Sequence, residues 1–346
     1  MSKTLQDYAT LINDTIQSNE INHYITTANM CQNLGGIDTF KNINIPQGKI
    51  RSFQKDDILL SNIRLYFRKV YRAKQKGGCS SDVLVFRAKH IDSATLFAIL
   101  SSQIFTDYAC SGSQGSKMPR GNKTHMMDFK IPTINFTIAK IFNSIQNKIE
   151  NNHKINELLQ TLAYKIYEYY FKYKPKNAKL EQIIIENPKS NIMVKNAQKT
   201  QDKYPFFTSG DNILSYPKAI IDGRNCFLNT GGNAGIKFYV GKASYSTDTW
   251  CICANEFSDY LYLLLSSIKT HINQSFFQGT SLKHLQKNLL KKYPIYMPSA
   301  HEIKKFNQIM MPLLTLISIN TRTSKKLEQI RDFLLPLLLK QQVKPK

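Results

Sequence analysis

No stretch of this sequence stays apolar for the roughly 20 residues a membrane helix needs, and the opening MSKTLQDYA lacks the basic-then-apolar layout of a signal peptide. Six cysteines (Cys31, Cys79, Cys110, Cys226, Cys251, Cys253) include no Cys-x-x-Cys pair and have no histidines at zinc spacing. They read as reduced, buried thiols, which places the protein in the cytoplasm and predicts no metal. Catalytic signatures are missing too. Gly235 to Gly241-Lys242 holds five intervening residues and then Ala243, one too many for a phosphate-cradling loop. Asn187-Pro188 lacks the second proline and the aromatic of an amino-methyltransferase strand end, no Gly-x-Ser-x-Gly occurs, and His301-Glu302 has no second histidine at zincin spacing. Acids are scarce, 24 Asp+Glu, and none forms a convincing nuclease metal cluster. The expectation is a chain with no catalytic residues and no cofactor of its own.

What is abundant is positive charge. The 346 residues carry 47 Lys+Arg, a net charge of +23 and a pI near 9.6, which points to a polyanionic partner. Hydrophobic residues make up 42% of the chain, enough to bury a real core, and the length argues for two domains or more.

The chain repeats itself. Asp82 in SSDVLVF corresponds to Asp248 in STDTWCI, ILSSQ ending at Gln103 to LLSSI ending at Ile268, and Gln114-Gly115-Ser116 to Gln278-Gly279-Thr280. Pro132 matches Pro298, each before a long helical pattern, and Asn152 and Leu159 pair with Asn320 and Leu327. The offsets stay between 164 and 168 along the whole half. Within each half, short Val/Ile/Phe/Tyr runs (DILLSNI, SDVLVF, KFYVGK) lie between Gly, Asn and Ser clusters, the grammar of strands and turns. ATLFAILSSQIF and YLYLLLSSI suit buried helices. The predicted class is α/β (α+β): two globular domains in a pseudo-symmetric repeat, separated by two long helices.

Apolar residues at Ile138, Ile141, Ile145, Ile149, Ile155, Leu159, Leu162 and Ile166 recur mostly every three or four positions, and Ile303, Phe306, Met310, Leu313, Ile317, Leu327, Ile330 and Leu334 keep the same rhythm. The two helices are expected to pack as an antiparallel coiled coil, with Asn152 and Asn320 on the seams setting register. The plainer alternative is that each helix caps its own domain. About 35 helical residues would make an arm on the order of 50 Å, comparable to the 34 Å repeat of B-DNA.

Three segments could touch nucleic acid. RLYFRKVYRAKQK (Arg64 to Lys76) carries Arg64, Arg68, Lys69 and Arg72 among aromatics with no acid, suited to phosphate contact or to a solvated strand face. KMPRGNK offers Lys117, Arg120 and Lys123 on turn chemistry, as a loop entering a groove would. NTGGNAG permits close backbone approach, and the side chains of Asn229 and Asn233 could pair with adenine edges, although the same pattern makes ordinary hairpins.

Taken together, these segments resemble one family, the specificity (S) subunits of type I restriction-modification systems, over nearly the whole chain. KIENNHKINELLQTLAYKIYEYYF (Lys148 to Phe171) is similar to the family's central conserved helix, and NTRTSKKLEQIRDFLLPLLL (Asn320 to Leu339) to its distal one, including Arg331-Asp332 and Pro336. DDILLSNIRLYFRKV, GSQGSKMPRGNK, YPFFTSGDN and DTWCI resemble recognition-domain segments, adding Asn62, Thr208 and Ser209 to the DNA-contact candidates. The resemblance implies a first target recognition domain at 1–136, a central helix at 137–174, a second recognition domain at 175–299 and a distal helix and tail at 300–346. It implies a non-enzymatic reader of double-stranded DNA in which each domain binds one half of a bipartite target. Two modification subunits, which would bind S-adenosylmethionine, are expected to dock on it, and restriction subunits to bring ATP and Mg²⁺. Two readings remain beside it: an enzyme on DNA with an unrecognised active site, and an RNA-binding module whose aromatics stack on bases.

Overall fold

The computed structural model describes residues 3–38, 43–131, 134–197, 203–210 and 213–338. Pro132, expected before the first long helix, and Leu339 lie outside them. The chain divides into two compact units, residues 1–151 with 326–346, and residues 152–325, so the division falls inside both long helices.

The first unit holds α1 (Leu5–Tyr8), β1 (Ala9–Ile12), β2 (Thr15–Gln17), β3 (Tyr24–Ile25), β4 (Lys49–Phe53), β5 (Ile58–Ser61), β6 (Val70–Arg72), β7 (Gly77–Cys79), β8 (Val83–Ala88), α2 (Ser93–Leu100), α3 (Gln103–Ser111), α4 (Lys123–Met127) and the start of α5 (Phe136–Tyr167). One sheet has the order β1-β8-β5-β6 and is antiparallel throughout; the other runs β2-β4-β7-β3. The central strands read as unbroken apolar runs because both faces are covered. Side chains alternate across a strand. Ile58 and Leu60, opposite Phe86 and Leu84, enter the core with α2 and α3, whereas Leu59, opposite Val85, enters a second core with Phe53, Ile25 and Cys79 of the other sheet. Helix α2 is buried continuously from Thr95 to Leu100, in keeping with its lack of charged residues. Asp92 caps it by accepting from the Thr95 amide, and Ser102 and Asn122 cap the next two helices in the same way.

The second unit contains the end of α5, β9 (Ala178–Lys179), β10 (Ile185–Glu186), β11 (Tyr204–Phe207), β12 (Leu214–Tyr216), β13 (Arg224–Asn229), β14 (Ile236–Val240), β15 (Ser244–Tyr245), β16 (Thr249–Cys253), α6 (Ser258–Ser267), α7 (Lys269–Ser275), β17 (Phe277–Gln278), β18 (His284–Leu285), α8 (Lys287–Lys291), β19 (Pro294–Ile295) and most of α9 (Ala300–Leu338). Its main sheet, β10-β16-β13-β14, repeats the strand order of the first unit's main sheet. The same alternation holds. Cys226, Leu228, Trp250 and Ile252 face the helices, and Phe227 and Cys251 face Phe207 and Tyr245. The duplication expected from the spacing of residues is therefore a duplication of architecture.

In each unit a stretch of α5 packs antiparallel on a stretch of α9. In the first, the Asn135 amide donates to Leu338 O at 3.1 Å while Gln146 Oε1 accepts from Arg331 at 2.9 Å. In the second, Asn152 donates to Ser324 at 3.1 Å and Asn320 donates to Asn156 at 3.0 Å. Those two bonds are copies of each other, since adding 168 to 152 and 156 gives 320 and 324. The two register asparagines thus sit at the helix contact, but each meets a polar neighbour one turn from the other.

On α5 the buried stripe keeps Ile149 and Asn152 as expected and elsewhere lies one residue further along. Ala139, Phe142, Gln146, Ile149, Asn152, Ala163 and Tyr167 are buried on α5, while Ile141, Ile155 and Leu162 are 41–47% exposed. On α9, Ile303, Phe306 and Met310 are buried as expected. From there Leu314, Ser318, Ser324, Arg331 and Leu335 take over from the aliphatics beside them, and Ile330 is left 49% exposed. Small and amide side chains let two helices approach closely and satisfy one another, which a count of aliphatic residues does not register.

Helix α9 opens on a capping box. The Ser299 amide and hydroxyl both donate to Glu302 at 2.9 Å, the Glu302 amide donates back to Ser299 Oγ, and Tyr296 OH also reaches the carboxylate. The Ser299 amide, then Tyr296, hold the Glu302 carboxyl down to about 2. A depressed folded pKa stabilises above the ordinary carboxylate range and stops doing so as pH falls through the folded value. Glu302→Gln is therefore expected to cost about 1 kcal/mol at pH 7, after solvent screening is allowed for, and to flatten the loss of stability between about pH 5 and 2. Urea unfolding followed by circular dichroism across that range measures it; an unchanged acid limb would refute the assignment.

Candidate nucleic-acid interface

Three chain segments meet at one edge of the first unit. After α3 the chain turns through Gly115, whose φ of +99° is left-handed and suits glycine, and returns so that Gln114 and Arg120 exchange both backbone hydrogen bonds, at 2.9 and 2.8 Å. This hairpin is laid against the end of β5. Arg120 bridges Ile63, the Arg64 amide donates to Pro119 O at 2.9 Å, and the Gly121 amide donates to Asn62 O at 3.1 Å. Asn62 in turn donates its amide to Asp82 O at 2.8 Å. The Arg120 guanidinium projects outward, 63% exposed, with Nη2 at 2.9 Å from Asp82 Oδ1. Lys117 and Lys123 are exposed on either side of it, and Arg64 is half-buried, donating to Lys117 O at 3.2 Å. The side-chain oxygen of Asn62 is buried without a protein partner.

The second unit builds the same corner. Gly279, with φ of +140°, turns the chain between β17 and β18, Gln278 pairs with His284, and His284 bridges Gly231. The Gly232 amide donates to Lys283 O at 2.9 Å, and the Thr230 amide and hydroxyl both donate to Asp248 O. His284 thus occupies the place of Arg120, and Asp248 that of Asp82. Ser209 Oγ donates to the same Asp248 carbonyl.

Several candidates turn inward. Leu65–Phe67 is a 3-10 turn between two left-handed residues, Arg64 and Arg68, with φ of 51° and 49°. The turn aims the Arg68 side chain, 14% exposed, at Ser101 O, 2.9 Å away, with Asp332 at 4.0 Å; burial lowers its pKa. Lys69 donates to Thr27 O at 2.6 Å, and Arg72, 15% exposed, lies 3.7 Å from Asp56. These three cations are engaged within the domain, while Lys74 and Lys76 at the end of the same run are exposed, so the run is in large part structural in place of the phosphate-contacting strand expected. Asn229 is buried and donates to Asn233 O at 3.1 Å, closing the β13–β14 hairpin. Its carboxamide is occupied by its own turn and is not presented to a base edge, while Asn233 is exposed. Thr208 is buried, with its hydroxyl accepting from the Gly210 amide. The sequence reading missed Asp82, Asp248 and His284 as parts of the corner; the repeat offset marked the aspartates, but nothing local said what they would face.

Among the described residues no group of three His, Cys, Asp or Glu side chains could hold a metal ion, all six cysteines are free, and no helix is long and apolar enough to cross a membrane.

Residues 176–329 match the family model described as type I restriction modification DNA specificity domain. No curated protein matches the sequence. The crystal structure of the type I restriction-modification system S subunit from M. genitalium is similar over 99% of this chain and 96% of that one, at 14% identity and a TM-score of 0.65. The HsdS subunit from Thermoanaerobacter tengcongensis aligns over 98% of this chain and 96% of its own at 12% identity, with a TM-score of 0.36 that adds nothing to the fold assignment. Residues 176–329 are thus similar to the type I restriction modification DNA specificity domain, and over its whole length the chain is similar in fold to the S subunit from M. genitalium.

Proposed function

We propose that this chain is the DNA-reading specificity subunit of a type I restriction-modification complex, each duplicated unit reading one half of a bipartite target in double-stranded DNA. The observation that carries this reading is the repeated corner: one scaffold built twice, with Arg120 at one copy and His284 at the other. Two copies of a reader with different side chains suit a target with two different half-sites, and the net charge of +23 suits its backbone. On this reading the long helices set the unread spacer and dock two methyltransferase subunits, to which the exposed aliphatics of α5 and α9 are available. S-adenosylmethionine would be bound by those subunits, and ATP and Mg²⁺ by restriction subunits, none of them by this chain, which would catalyse nothing alone.

Co-expression with the modification partner is expected to place genomic adenine methylation at one bipartite motif, read by single-molecule methylome sequencing. A continuous motif, or none in the presence of an active partner, would reject the proposal. Cleavage or methyl transfer by the purified chain would favour an enzyme.

A further inference from the structure

We infer that Arg120 reads a guanine in the major groove of the half-site bound by the first unit, and that Asp82 is the positioning residue that holds its guanidinium for that contact. The inference rests on the proposed DNA-reading role and assigns one base position within it.

Arg120 has a backbone fixed on both sides, by Gln114 across the hairpin and by Ile63 at the end of β5. A cation meant only for phosphate needs no such support, because phosphate contacts tolerate a flexible stem and carry no sequence information. The side chain is 63% exposed and still held 2.9 Å from a single carboxylate oxygen. An exposed ion pair adds little to folding stability, and it costs rotamer freedom. What the pair does is place the guanidinium beside a carboxylate through Nη2 while the other donors stay available, and a guanidinium edge matches the O6 and N7 acceptors of guanine in two parallel hydrogen bonds. Asp82 is also one of only 24 acids in a chain of net charge +23, placed where a polyanion would approach. There its charge penalises a phosphate at that point and so favours a base edge over the backbone. The second unit keeps the aspartate and the glycine turn and replaces the arginine with His284, so the two half-sites are expected to differ at the corresponding position.

The test uses the complex with its modification subunits. Methylome sequencing of Arg120→Ala is expected to turn one guanine of one half-site degenerate, with roughly 10- to 100-fold lower discrimination, and to leave the other half-site and the spacer unchanged. Asp82→Asn is expected to relax that same single position, less than Arg120→Ala does, which a purely structural role would not do; a motif unchanged in Asp82→Asn would overturn the positioning role. Oligonucleotide competition supplies a second readout that does not need methylation. Replacing that guanine by 7-deazaguanine, which lacks N7, should weaken binding by the wild-type complex and leave Arg120→Ala indifferent. An Arg120→Ala complex that keeps the full motif, or that loses affinity uniformly over all sequences with a shallower salt dependence, overturns the inference and assigns Arg120 to phosphate. A wild-type complex with no bipartite motif overturns the functional reading instead.

Discussion

Arg331→Ala is expected to destabilise the first unit by about 3–5 kcal/mol, the scale for removing one partner from a buried charged network. Arg331 is among the largest fully buried side chains of the protein, only 2% exposed. Its Nη1 donates to Gln146 Oε1 at 2.9 Å, Nη2 lies 3.0 Å from Asp332 Oδ1, and Gln146 passes the connection on by donating to Leu34 O at 2.7 Å. Truncation leaves Gln146 without its donor, strips Asp332 of its nearest cation, and opens a void between α5 and α9. Asp332→Asn should cost less, about 1–2 kcal/mol, because that carboxylate is 39% exposed and water replaces part of what it gives to Arg331 and Arg68. Thermal unfolding of both variants checks the order. A smaller loss for Arg331→Ala than for Asp332→Asn would mean that the arginine is not the centre of the network.

Phe171→Ala is the counterpart in the second unit, expected to cost about 3–5 kcal/mol. Phe171 lies in the π-helical turn Glu168–Lys172 that ends the central helix, and is 1% exposed. Its ring centroid is 5.0 Å from that of Phe306 on α9 and 5.2 Å from that of Tyr260 on α6, both in edge-on contact, with Tyr296 at 6.1 Å. Edge-to-face pairs contribute beyond the area they bury, and one truncation removes both. Tyr169, two residues earlier and 86% exposed, serves as the control: Tyr169→Ala should stay within about 0.5 kcal/mol of wild type. Equal effects at the two positions would mean that the aromatic cluster is not what fastens the end of α5.

These two predictions mark how far local pattern reaches. Both residues fall in segments whose helical period was plain from spacing alone, yet the sequence placed neither on the buried seam. Ile141 and Ile155 were expected on the seam and are exposed, while Gln146 and Arg331, which lie off the expected aliphatic stripe, are buried. Hydropathy ranks a residue by its cost in the absence of partners. Gln146 and Arg331 are 185 positions apart and are tolerated inside because each bonds the other, with Leu34 O and Asp332 taking up further donors.

The sequence by itself determined the duplication, the two long helices, the strand-like or helical character of the main apolar runs, and the charge that calls for a polyanion. Those properties depend on spacing and composition within one element, or on one segment repeating another. Only the tertiary structure decided which cations are available to DNA. Arg68, Lys69 and Arg120 are all cationic side chains in basic, turn-containing segments. The first two donate to the carbonyls of Ser101 and Thr27, 33 and 42 positions away, and are held against the domain, whereas Arg120 stays outside on a hairpin with one aspartate beside it. A cation's role depends on the acceptors that folding brings to it, and folding brings them from elsewhere in the chain.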